Sequence, residues 1–433
     1  MEILSLGEKI KRRRKELEMT LKDLAGDRIT PGQISLVESG RSNPSMDLLE
    51  YLAVNLKTSV EYLMESEESQ AEKISLYYEQ IAESYILSGD YITAEKYIEN
   101  GLYYVEKYNL EYRKAKVLYL RAMIYVAKEE FNLAQQFLLS SNVIFIKNNN
   151  YEDILNTFLS LGKITLKLKA YQSSCSYLRQ AEKVYLDNNI GNDSLLGEIY
   201  YYMAKAYFKI ENMDKSIDYS FLAKSKFEQV YNKEQYAKTL LLISEEYNKK
   251  GDLTNAIKYS QKTLEVYKEL DELNNISEIE NSLGKLFYEF ENIEESFKHY
   301  EISKEIRLKN KDSRVVETLI NICENYIKLK NIDKCEEILQ EINGYVDINN
   351  VKQLISVNLL WHRIYTLKGL TIECENILLD TYKLAVNNNL EKISGELAIT
   401  IGKFYVDNKN QNKAVKYLDE GVNIFRKLGI LKN

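Results

Sequence analysis

GDYITAEKY, residues 89–97, returns in altered form along most of the chain. It reads EEFNLAQQF at 129–137, KAYQSSCSY at 169–177, ENMDKSIDY at 211–219, GDLTNAIKY at 251–259, ENIEESFKHY at 291–300 and KNQNKAVKY at 409–417. Aligned on the small residue of each copy, the series is Ala94, Ala134, Ser174, Ser216, Ala256, Ser296, Cys335, Cys374 and Ala414, with spacings of 40, 40, 42, 40, 40, 39, 39 and 40. Nine units at a near-constant period predict a solenoid, in which each unit buries its apolar face only against its neighbours. Each copy follows a helical stretch with a small residue and then an aromatic, as in Leu283-Gly284-x-x-Phe287. The small residues let paired helices approach, and the aromatics fill the gap beside them. Most of the 35 tyrosines are therefore read as packing residues. Two prolines in 433 residues, none after Pro44, suit long uninterrupted helices.

Composition bounds the rest. A chain of this length with 45% hydrophobic residues predicts a soluble, folded protein with more than one cored unit. No run of eighteen apolar residues and no charged-then-apolar leader is present, so the expectation is a cytoplasmic protein without membrane contact. Cys175, Cys323, Cys335 and Cys374 fit no zinc or redox spacing and are read as small buried thiols. With only His299 and His362 and no Gly-rich phosphate loop, no catalytic residue, metal site or cofactor is expected, and the chain is read as a non-enzyme. The net charge of -7 argues against nucleic-acid binding only if charge is spread evenly; a DNA-reading module joined to a larger acidic one gives the same total.

Residues 5–64 read as five short helices. Leu6, Ile10 and Leu17 share one face of the first, with Lys9, Lys11, Arg12, Arg13, Arg14 and Lys15 as a basic exterior. Thr20 caps a second helix that ends at Gly26. In the stretch DRITPGQISLVESGRSNPS, residues 27–45, Thr30 is an N-cap and Pro31 suits the first helical position, where its missing N–H is harmless. Ile34 and Val37 point to the core, and Gly40 ends the helix. Leu48, Leu49, Leu52 and Ala53, then Val60 and Leu63, complete the core. Two short helices joined by a tight turn, the second carrying small polar groups at its leading end, are what major-groove entry requires.

The residues Thr20 to Ala25, followed by the Ile34 to Ser45 segment, resemble the Xre/Cro-type helix-turn-helix domain. The resemblance implies DNA contacts by Thr20, Lys22, Thr30, Pro31, Gly32, Gln33, Ser35, Leu36, Arg41, Ser42 and Asn43. Leu21 departs from it, since such domains commonly place there a Gln that contacts phosphate. The repeats resemble the tetratricopeptide repeat, with the period of about 40 in place of 34 implying longer helices or longer connections. The fold class is thus all-α: a five-helix head over residues 1–65, a linker at 66–70 in the acidic stretch ESEESQ, and a right-handed superhelix of about nine helical pairs over 71–433.

In such an array the first helix of each pair lines the concave face. One inward position gives Glu83, Met123, Lys163, Lys205, Glu245, Lys285, Glu324, Arg363 and Lys403, five of the nine basic. Neighbouring positions add Tyr119, Tyr201 and Asn281, then Asn248 and Tyr288. An Asn amide both donates to and accepts from the backbone of an extended peptide, and the basic residues suit its carboxylates. The candidate peptide groove is Lys163, Tyr201, Lys205, Asn248, Asn281, Lys285, Tyr288 and Asn321.

An Xre-type head followed by such repeats resembles the RNPP (RRNPP) family of Gram-positive regulators, most like its NprR and clostridial RstA-like members. The resemblance implies a homodimer that binds a palindromic operator in double-stranded DNA under control of a short quorum-sensing peptide, governing sporulation or virulence and toxin genes. A scaffold that sequesters a sporulation phosphorelay protein is the alternative reading.

Overall fold

The computed structural model describes residues 2–347 and 349–428. Among the described residues there are 23 helices and no strand. The head has α1 (Leu6–Glu16), α2 (Leu21–Ala25), α3 (Pro31–Glu38), α4 (Met46–Asn55) and α5 (Val60–Met64). The repeats follow as α6 (Glu67–Ser88) and α7 (Tyr91–Lys107), α8 (Glu111–Ala127) and α9 (Phe131–Lys147), α10 (Tyr151–Lys167) and α11 (Tyr171–Asp187), and α12 (Asp193–Lys209) and α13 (Met213–Gln229). Then come α14 (Lys233–Lys250) and α15 (Leu253–Glu269), α16 (Leu273–Glu289) and α17 (Ile293–Lys309), α18 (Val315–Lys328) and α19 (Ile332–Asn343), α20 (Val351–Lys368) and α21 (Thr371–Asn387), and α22 (Glu391–Asp407) and α23 (Gln411–Lys427). Two compact units divide the chain, one running through Ser216 and the other starting at Ile217.

The period of 40 comes from helix length. Helices α8 and α9 each have 17 residues, and three-residue turns, 128–130 and 148–150, follow them. Each turn from first to second helix contains a left-handed residue five positions before the small one. Gly89, Gly251 and Gly369 fill it three times, and Glu129, Lys169, Glu211, Glu291, Lys330 and Lys409 adopt the same conformation elsewhere. Asp or Asn then caps several second helices, as Asp90 does for Thr93 N–H and Asn292 for Glu295 N–H.

All nine small residues are buried. Each lies twelve positions after a residue of the first helix, and hydrogen bonds mark the crossing: Ser174 Oγ donates to Gly162 O, Ser216 Oγ to Ala204 O and Ser296 Oγ to Gly284 O, at 2.7, 2.9 and 2.7 Å. The hydroxyl is thereby satisfied at the point where backbones come closest. A Cβ on Gly162 would come within 2.6 Å of the Leu178 side chain, and one on Gly284 would run into the Tyr300 ring. Aromatic pairs stack at the same twelve-residue separation: Tyr85 on Tyr97, Tyr125 on Phe137, Tyr247 on Tyr259 and Phe287 on His299, with ring centroids 5.7, 5.4, 5.7 and 5.2 Å apart. The tyrosines that pack the repeats are thus a recurring inter-helix filler.

Folding of each pair back on itself brings Cys323 and Cys335 together, although twelve residues separate them: each Sγ lies 3.9 Å from the other's carbonyl oxygen. They occupy a crossing that the other pairs, apart from His362 and Cys374 in α20 and α21, fill with Gly, Ala or Ser. Burial pushes both thiols up, which makes them poor nucleophiles. All four cysteines are free and buried.

The head closes around Ile10, Leu24, Ala25, Ile34, Val37, Leu49, Leu52, Ala53, Leu56 and Leu63. One expectation for α1 is corrected. Lys9, placed on the basic exterior by sequence, is buried, and its ammonium donates to Tyr62 O at 2.9 Å and Glu65 O at 2.6 Å, tying α1 to the end of α5. Helical spacing already sets Lys9 beside Ile10 and three residues from Leu6, on the apolar face. Ser66 to Gln70, read as the linker, are the N-cap and first turn of α6. Gln70 exchanges two hydrogen bonds with the backbone of Leu4, at 3.0 and 2.8 Å.

Candidate functional site

The head presents α3 because of how α1 meets it. Gly7 lies against the end of α3, where a Cβ would come within 2.5 Å of the Val37 and Glu38 carbonyl oxygens. Two turns on, Arg14 makes a two-bond ion pair with Glu38. On the other side, Tyr51 donates to Ala25 O at 3.1 Å, fixing the α2 end of the turn. Ile34 and Val37 hold α3 to the core while Pro31, Gly32, Gln33, Ser35 and Leu36 are exposed. Thr20, Lys22, Thr30, Arg41, Ser42 and Asn43 are exposed as well, so all eleven predicted DNA-contact residues are at the surface.

Two of them have a second role. Thr30 and Gln33 form a capping box: Thr30 Oγ1 accepts from Gln33 N–H, and Gln33 Oε1 accepts from Thr30 N–H at 3.0 Å. The Gln33 acceptor is thus taken, leaving its amide N–H groups for a base edge. Thr20 and Asp23 form the equivalent box on α2, and the Thr20 hydroxyl and backbone hold the Asp23 carboxyl below its ordinary range. That carboxylate sits at the α2 N-terminus, where an anion would otherwise be favoured, and Lys22 is the exposed cation beside it. Acidic and basic residues are equal in number over residues 1–64. Arg14 and Lys9 are spent inside the fold, while Lys11, Lys15, Lys22, Arg28 and Arg41 are exposed. Arg28, over the Tyr51 ring at 5.4 Å and beside the start of α3, was not singled out by sequence.

The eight predicted peptide-groove residues fall into both units. In the first unit, Lys163 Nζ lies 2.6 Å from Glu198 Oε1 and 5.1 Å from the Tyr202 ring centroid. Lys205 Nζ stands 5.3 Å from the Tyr201 ring centroid, and Tyr201 meets Tyr202 edge to face. In the second unit, Asn321 Nδ2 donates to Asn281 Oδ1 at 3.1 Å, and Asn281 Nδ2 donates to Glu317 Oε1 at 3.3 Å. Lys285 Nζ donates to the same Glu317 oxygen at 2.7 Å. Tyr288 lies beneath Lys328, whose Nζ is 4.5 Å from the ring centroid. Asn248, half-buried on α14, is outside this network. Burial raises the Glu317 carboxyl, but the hydrogen bond and charge of Lys285, with Arg307 and Asn281, more than offset it and hold the group below its ordinary range.

Three cations of the expected row already hold carboxylate partners. Lys163 and Lys285 are paired with Glu198 and Glu317, and Arg363 with Glu324 at 3.1 Å. Glu317 was missed because its partners stand 32 and 36 positions earlier in the chain, a separation that carries no local periodic signal.

Residues 10–63 match the helix-turn-helix family model. The head is a helix-turn-helix domain. Beyond the helix-turn-helix head, the chain shares its fold with solved repeat proteins. The apo form of the quorum sensor NprR from B. thuringiensis is 14% identical with a TM-score of 0.56, over 82% of this chain and 99% of that one. Aspartyl phosphate phosphatase F from Bacillus subtilis is 16% identical with a TM-score of 0.52, over 83% and 94%. PH0952 from Pyrococcus horikoshii, a signal transduction ATPase with numerous domains and a tetratricopeptide repeat sensor, is 15% identical with a TM-score of 0.55, over 84% of this chain and 57% of that one. At such identities the likeness establishes the fold: a helix-turn-helix head followed by tetratricopeptide-like pairs. No curated protein matches the sequence. No described helix is long and apolar enough to cross a membrane.

Proposed function

We propose that this chain is a cytoplasmic transcriptional regulator of the RNPP type, whose operator binding is controlled by a short signalling peptide held on the first-helix face of its repeats. The observation that carries the reading is the joining, in one chain, of a helix-turn-helix head with an exposed third helix to an array with the fold of the quorum sensor NprR. Residues 1–65 act as the reader, and the repeats, entered through Ser66 to Gln70 at the start of α6, act as the sensor and dimerisation body.

One head makes too few contacts for a stable operator complex, so the protein acts as a homodimer on a palindromic site whose half-site spacing matches the separation of its two third helices. A peptide that binds one arrangement of the heads more tightly shifts DNA affinity by its differential affinity for the two arrangements. Sporulation or virulence and toxin genes are the proposed targets. Likeness in fold to aspartyl phosphate phosphatase F supports a second reading, a scaffold that sequesters a phosphorelay protein; the DNA-reading head favours the first.

Mobility-shift assays with promoter fragments from the native genome test the proposal. Retarded fragments sharing a two-fold sequence, with mobility changed by a peptide fraction of culture medium, are the expected result. Absence of any sequence-selective shift, with a response regulator captured instead, would overturn it.

A further inference from the structure

Lys285 and Asn281 converge on one oxygen of Glu317, at 2.7 and 3.3 Å, and Asn281 is itself held by Asn321 at 3.1 Å. The other Glu317 oxygen lies 3.6 Å from Arg307 Nη1. Arg307 is 1% exposed; its Nη1 donates to Arg314 O and Thr318 Oγ1, and its Nε has no hydrogen-bond partner. An arginine stays protonated even when burial lowers its pKa. Two cations therefore face a single carboxylate, and the surrounding donors are arranged to receive acceptors.

The same kind of pair occurs in the first unit, where Lys163 reaches Glu198 at 2.6 Å. A lysine and a glutamate from successive first helices thus suffice to brace them. The buried amide of Asn281, its partner Asn321 and the buried guanidinium are additions at the second-unit pair alone of the two, and a brace has no use for them. Glu317 and Lys285 are both about half exposed, 46% and 47%, whereas Asn281 is 3% exposed. Asn281 and Arg307 are anchored by burial, whereas Glu317, like Lys285, reaches water and is able to turn away.

We propose that Glu317 is a built-in stand-in for a carboxylate of the ligand. The inference rests on the peptide-sensing reading above. The peptide that occupies this face presents a carboxylate, from an Asp or Glu side chain or from its own C-terminus, which takes the place of Glu317 on Lys285 and Asn281 while Glu317 turns to water. A charge-assisted hydrogen bond is exchanged for another of the same kind, so the buried amide is never left unsatisfied. A neutral or basic peptide offers no such exchange, which makes Glu317 a specificity filter. Its occupancy lowers the apparent affinity by the fraction of molecules in which the site is closed.

The full-length protein, as wild type and as Glu317→Gln and Glu317→Asp, is mixed with a random heptapeptide library bearing free C-termini and with the same library amidated. Retained peptides are sequenced by mass spectrometry. Peptides retained by the wild type are expected either to be enriched in Asp and Glu or to be lost on amidation, and Glu317→Gln should bind the same peptides about fivefold or more tightly, with Glu317→Asp intermediate. Asp or Glu enrichment that survives amidation assigns the carboxylate to a side chain, and retention lost on amidation assigns it to the terminus. Peptides retained without acidic preference and equally well when amidated overturn the inference and leave peptide sensing standing, as do basic peptides that Glu317→Gln no longer holds. Retention of nothing overturns both. The wild-type preference is decisive even if a variant fails to fold, which melting followed by circular dichroism will show.

Discussion

Arg14 and Glu38 face each other across the α1 and α3 contact, with Nε to Oε1 at 2.6 Å and Nη2 to Oε2 at 2.8 Å, and both side chains are nearly out of water. Arg14 also donates to Met19 O, so one guanidinium joins the α1–α2 turn to the far end of the presented helix. Replacement of Arg14 by Leu strands the Glu38 carboxylate in a dry site. A loss of about 3 kcal/mol in the local stability of the head is expected, read as faster amide hydrogen exchange confined to residues 5–64.

Gly7 lies on the same seam. Its absent side chain lets α1 approach the Val37 and Glu38 carbonyls, which are backbone atoms and cannot rotate aside. Gly7→Ala should push α1 from α3 and cost about 1–3 kcal/mol. DNA binding in a mobility-shift assay should fall, while peptide retention by the repeats should not change.

Gln33 offers a way to separate capping from reading. Gln33→Glu keeps the acceptor that closes the box with Thr30 and removes the outward amide donors. Thermal stability of the head should hold. Operator affinity should fall by about 1–3 kcal/mol, beyond the general repulsion of an added negative charge. Parallel measurement on non-specific DNA gives the correction for that repulsion.

His362 occupies the crossing slot of the α20 and α21 pair, which other pairs fill with Gly, Ala, Ser or Cys, and its carbonyl accepts from the Cys374 thiol. Burial, reinforced by the charge of Arg363, holds its imidazole below the ordinary 6.5. The unfolded chain then binds the proton more readily than the folded one, so the stability this residue contributes is present above pH 6.5 and is lost as the pH falls below it. Urea denaturation between pH 7.5 and 5 should show a decline that is smaller in His362→Ala. His299, the other histidine, is common to both proteins and cancels in the comparison.

Much of this architecture was open to reading without coordinates. The repeat of small residues from Ala94 to Ala414 identifies every second helix, because a close helix crossing tolerates little else and the requirement recurs once per unit. Thr30, Pro31 and Gly40 mark the bounds of α3 because capping and left-handed turns are local, needing only neighbours in the chain. The choice between longer helices and longer connections needed the structure, since a period alone does not divide 40 residues between them.

What tertiary structure alone decided is where charges end. Lys9 sits in an otherwise basic run yet is inside, because the ends of α5 supply carbonyls to meet it. Lys285 belongs to a row of cations by sequence, and the fold closes it onto Glu317, 32 residues later. Cys323 and Cys335 seem remote until a turn lays one helix on the other. Local periodicity follows from the geometry of one helix and is written in the order of residues. Pairing depends on which faces meet across distant turns, and that is settled only when the backbone has packed.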